Sequence, residues 1–124
     1  NVMYAYDYDV ETGEISNRRN HIQWKKNEYP DGMTIDSAGG FWVAMWLGSK
    51  VSHFDASGTW IEDIYVPVLH TTSCCFGGED LKTLLITTSN LNLSDKEKDE
   101  NPMAGRCFSY KTEVVGQIEP RFIT

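Results

Sequence analysis

The sequence predicts an all-β chain that forms part of a β-propeller, and two observations carry that expectation. Short runs rich in β-branched and aromatic residues alternate with Gly-, Asn- and Asp-containing turns along most of the chain. The runs group in fours, and the groups recur at roughly 40–50 residues, the spacing of propeller blades. Asp36 and Gly77 open equivalent turns, and Trp42 and Leu85 hold equivalent second-strand positions. Tyr4-Ala5-Tyr6-Asp7 likewise matches Ser52-His53-Phe54-Asp55. A sandwich has no reason to repeat at that period.

Taken in order, Val2 to Asp9 places aromatic residues at 4, 6 and 8, the period of a strand. Glu11-Thr12-Gly13-Glu14 is a hairpin turn, and Ile15 to Trp24 continues as a polar strand. These two strands, residues 1–24, end one blade. Residues 30–67 make a full blade, with strands Met33–Asp36, Phe41–Trp46, Lys50–Asp55 and Trp60–Val66 separated by glycine turns. Residues 70–124 make another, with strands Thr72–Phe76, Thr83–Thr88, Gly105–Tyr110 and Gly116–Ile123. No segment has helical periodicity, and the charge run Asp95 to Glu100 reads as a solvated loop. The sum is about two and a half four-stranded blades, an arc of a single propeller domain. Propellers close to remove sheet edges, so the arc is expected to need missing N-terminal blades to complete its ring. A start at Asn1, not Met, fits a piece of a longer product.

Composition narrows the partners. A net charge of −7 argues against nucleic acid and anionic membranes, which need clustered Lys and Arg. No apolar run reaches the ~20 residues that span a bilayer, and no basic-then-apolar leader opens the chain. Cys74 and Cys75 are neighbours on a strand, so they point to opposite faces and do not bond each other. No Cys/His spacing suggests zinc. Free, buried thiols in a reducing, cytoplasmic compartment are expected. His70 is the one base near the cysteine pair. His21 and His53 are expected at the surface, and Trp42, Trp46 and Trp60 between blades. Met33, Trp46 and Thr72 are expected to line the central tunnel.

Two acids stand out around the Gly39-Gly40 hairpin. Asp36 is placed to cap that turn. Asp31, between Pro30 and Gly32, lies just before the innermost strand of a blade and so at the mouth of the tunnel. Taken locally, Pro-Asp-Gly is a common turn.

Four segments change that reading of Asp31. They are Tyr4–Asp9 with Thr12–Arg19, Pro30–Asp36, Phe41–Ala44 and Thr71–Gly78. In that order and spacing they resemble the C-terminal portion of the SMP-30/gluconolactonase/luciferin-regenerating-enzyme family, over most of the chain. The resemblance implies a six-bladed propeller with one divalent cation (Ca2+, Zn2+, Mg2+ or Mn2+) in its tunnel. The aspartate of the Pro-Asp-Gly segment holds that cation in the family and matches Asp31. The family's metal-binding glutamate and asparagine, and its substrate-binding arginine and asparagine, would precede Asn1. A hard cation takes oxygen ligands, polarises a lactone carbonyl and acidifies water, and an aspartate beside that water serves as general base. The implied function is metal-dependent hydrolysis of a sugar lactone or small ester, with Asp31 both metal ligand and catalytic residue. A fragment with one ligand is expected to be inactive alone. The alternatives are a non-enzymatic calcium-binding regulator and a luciferin-regenerating type of enzyme. Around the mouth, the loop at 95–100 is expected to shape the substrate pocket at most slightly.

Overall fold

Sheet pairing in the computed structural model, which describes residues 1–121, divides the chain into three antiparallel sheets. The first pairs β1 (Val2–Tyr8) with β2 (Ile15–Gln23). The second is a four-stranded meander of β3 (Tyr29–Ile35), β4 (Phe41–Trp46), β5 (Lys50–Phe54) and β6 (Trp60–Tyr65). The third joins β7 (His70–Gly77), β8 (Thr83–Ser89) and β9 (Cys107–Lys111). The chain is therefore all-β, an arc of a β-propeller whose ring is not closed. No helix among the described residues is long and apolar enough to cross a membrane.

The two central strands of the middle sheet are buried on both faces, which explains why β4 reads as the unbroken apolar run Phe-Trp-Val-Ala-Met-Trp. Val43 and Met45 pack with Ile22, Trp24 and Phe54 toward the first sheet. Trp42 and Ala44 pack with Val51, Cys74, Leu84 and Ile86 toward the third. Strand alternation thus gives one strand two cores. Polar bonds tie the second and third sheets as well: the Thr71 hydroxyl lies 2.7 Å from the Met45 and Lys50 carbonyls and accepts from Met45 N–H at 3.1 Å.

Several expectations need correction. The expected fourth strand at Gly116–Ile123 does not form over 116–121; Gly116 makes one bridge to Asp36. Residues 122 and 123 lie outside the described residues. The charge run is not a loop but helix α1 (Asp95–Glu100), because Ser94 and Glu97 form a reciprocal capping box. His53 is buried, since β5 lies between two neighbouring sheets rather than on the outside. Trp60, on the outer strand, is 57% exposed and borders an open cleft beside Gln23 and Trp24 rather than filling a packed seam. Among the thiols only Cys74 is buried, while Cys75 and Cys107 are exposed.

Candidate metal corner at the start of an inner strand

Asp31 lies within β3 rather than before it. Pro30 pairs with Met45 and Met33 with Val43, so Asp31 and Gly32 together face the single residue Ala44 in a β-bulge. The neighbouring strand β7 carries its own irregularity, with Thr72 unpaired between Thr71 and Ser73. The two irregular segments press together. A Cβ on Gly32 would stand 2.6 Å from the Ser73 Cβ and 2.8 Å from the Thr72 carbonyl, so only glycine permits the approach. The bulge re-aims Asp31 away from the core, and its side chain is exposed.

Asp31 shares the exposed row of β3 with Tyr29, Met33 and Ile35. Trp46 and Thr72, the other residues expected near the tunnel, are half-buried. At this same end, the rings of Trp46 and His70 stack at 3.9 Å and 10°. His70 is buried, and loss of solvent lowers its pKa, with Glu97 of α1 opposing that effect. The Leu69 N–H donates to Asn101 Oδ1 at 3.0 Å, which fastens the excursion carrying α1 to the start of β7.

Asp31 has no hydrogen-bond partner among the described residues, so its carboxylate is available to an incoming group. It offers the hard oxygen donor that Ca2+ or Mg2+ prefers and zinc accepts. Yet no group of three His, Cys, Asp or Glu side chains is placed to hold a metal among the described residues. The fit is that of one corner of a site.

Asp36 sits at the other end of β3 and does different work. Its Oδ1 accepts from Ala38 and Gly40 N–H at 2.9 Å each, capping the turn as its spacing suggested. Its Oδ2 accepts from the Trp42 indole at 3.0 Å and faces His53 Nε2 at 3.2 Å. Burial raises its pKa, but these donors, Trp42 foremost, outweigh burial and hold it below the usual range. Sequence reasoning missed His53 as a partner; the signal was its register, since Trp42 pairs with His53 across β4 and β5.

A family profile described as SMP-30/Gluconolactonase/LRE-like region matches residues 1–90. The chain belongs to this family. A Bacillus subtilis (strain 168) protein named, provisionally, sugar lactone lactonase YvrE is 43% identical over 116 residues, 92% of the chain and 40% of that protein. Regucalcin of Oryctolagus cuniculus is 42% identical over 118 residues, 94% of the chain and 40% of that protein. The solved structure of a calcium-binding protein, regucalcin, from Agrobacterium tumefaciens superposes with a TM-score of 0.92 at 29% identity. That match covers 100% of the chain and 43% of the other. The chain therefore spans about two fifths of the length of the relatives it matches.

Proposed function

We propose that the chain is the C-terminal part of a metal-dependent lactonase-like hydrolase, acting on a sugar lactone or small ester, with Asp31 as one protein ligand of a divalent cation. The observation that carries this reading is the bulge at Asp31-Gly32, which turns an unpartnered carboxylate outward on the first strand of a sheet. The family of the chain and the name of the Bacillus relative support the substrate class. When bound, such a cation supplies Lewis acidity toward the lactone carbonyl and acidifies water. Asp31 would hold one position of that site, and its second oxygen would take the proton of an attacking water. Gly32 keeps the carboxylate in place by letting β3 lie against Thr72 and Ser73.

The test is Asp31→Asn in a chain that includes the upstream blades. Metal-dependent lactone hydrolysis is expected to fall by about 10²–10⁴-fold, the usual yield of acid–base work. Thermal stability is expected to hold, because the carboxylate supports no other group. Undiminished turnover ends the assignment. A second reading, a non-enzymatic calcium-binding regulator, draws on the relatives named regucalcin. It is distinguished by calcium binding that Asp31→Asn weakens, with no turnover of a lactone panel under any of the four metals.

A further inference from the structure

A cleft of about 410 Å³ opens at the end of β3 far from Asp31, between the second sheet and the segment that follows β9. Its size is that of a small-molecule pocket. Ala38, Ala56, Ile61 and Val114 give it apolar walls, with Asp36 and His53 at one side and Asp55 and Ser57 at another. The far wall is fixed by backbone bonds, since Ser37 N–H donates to the Val115 carbonyl at 2.9 Å and Gly116 bridges to Asp36. Both walls thus belong to segments held together within this chain.

The donors around Asp55 are already spent on one of its oxygens. Ser57 N–H, Ser57 Oγ–H and Thr59 N–H all donate to Asp55 Oδ1, at 2.8, 2.6 and 3.0 Å. That leaves Asp55 Oδ2 without a hydrogen bond among the described residues. Those same donors, the Ser57 hydroxyl foremost, hold the Asp55 carboxyl below its usual range, so it is ionised at neutral pH. His53 Nε2 stands 3.2 Å from Asp36 Oδ2, and a carboxylate oxygen only accepts, so Nε2 carries a proton. The other ring nitrogen, Nδ1, is buried without a hydrogen-bond partner, with Glu62 Oε1 at 3.6 Å. No Lys or Arg lines the cleft.

We infer that this cleft binds a small organic ammonium ion, its apolar body against Ala38, Ile61 and Val114 and its N–H on Asp55 Oδ2. An anion meets ionised carboxylates with no counter-charge, and a neutral apolar molecule leaves Asp55 Oδ2 unused. The site is independent of Asp31, so loss of lactone hydrolysis on Asp31→Asn leaves it untouched.

Phenethylamine is the probe, with 2-phenylethanol and phenylacetate as neutral and anionic controls. The Trp42 indole N–H, which donates to Asp36 and stacks on His53 at 3.9 Å, reports the site by NMR in a chain carrying the upstream blades. Phenethylamine is expected to shift that resonance saturably, and more tightly than either control. Asp55→Asn is expected to weaken it by about tenfold, the worth of one charge-assisted hydrogen bond. Ile61→Trp fills the cleft from a position 46% exposed, so the fold survives and binding is lost. Equal binding of amine and acid, binding undiminished in Ile61→Trp, or no saturable shift in the parent overturns the inference.

Discussion

At Asp36 four donors converge on one carboxylate, and three of them come from the turn and strand that it begins. Replacing it by Ala leaves the Trp42 indole and the Gly40 N–H buried without an acceptor, and frees the half-buried Ala38 N–H. A loss of about 3–5 kcal/mol is expected in urea unfolding of the closed protein, the cost of breaking a buried polar network at one member. The pH dependence follows from the depressed pKa. Stability from Asp36 is fully present above the ordinary carboxylate range and drains away as pH falls through its lower native value. His70 acts in the same direction for the opposite reason. Burial disfavours its charged form, so its site is stable above the ordinary histidine value of ~6.5 and weakens as acid protonates the ring. Melting temperature against pH is expected to decline from neutrality downward, in two stages that His70→Gln and Asp36→Asn remove separately. The capping role of Asp36 was legible, because Asp followed by a glycine pair marks its turn. His53 was not, because its burial depends on a neighbouring sheet.

Among the elements, β3 and β7 are matched irregular strands, and Gly32 is where they meet. Gly32→Ala is expected to cost about 1–3 kcal/mol through overpacking against Ser73 and Thr72, measured by thermal unfolding. The same change displaces Asp31, so hydrolysis falls with stability, whereas Asp31→Asn separates the two. Helix α1 shows the opposite case. Ser94-Asp95-Lys96-Glu97 spells a capping box in the sequence, a local signal stronger than the missing apolar periodicity. A polar helix without a buried face escapes any search for amphipathic spacing, and α1 buries no residue. Strand β5 forms, but the surface position expected of its His53 fails for a tertiary reason: Ser52 donates to Asp63 at 2.6 Å and His53 faces Asp36, so both polar residues are buried with partners.

For the whole molecule, the decisive feature is that both ends of the arc show uncovered sheet. Tyr4 and Tyr6 on β1 are 43% and 39% exposed, and Leu85 on β8 is 42% exposed beside Cys75 and Cys107. The isolated arc is expected to associate or to unfold without cooperativity, seen by sedimentation and denaturant titration. A cooperative monomer sinks that expectation. Thiol labelling gives a finer reading. Burial pushes the Cys74 thiol up to about 12, so Cys75 and Cys107 are expected to react first with a maleimide near neutral pH. Adding the upstream blades is expected to slow Cys75, whose face they would cover, and to leave Cys74 inert.

The sequence by itself determined the strand order, the hairpin turns, the all-β class and the acid in the Pro-Asp-Gly segment, since each follows from alternation and turn chemistry within a few residues. Tertiary structure alone decided which strands are buried on both faces, that Asp31 stands in a bulge, and that Asp36 and His53 share a buried bond. Those outcomes depend on which sheet lies against which, and contacts across sheets leave no period in the chain. The adjacency of Gly32 and Ser73 illustrates the difference. Two small residues far apart in sequence become meaningful only where two inner strands close on one another.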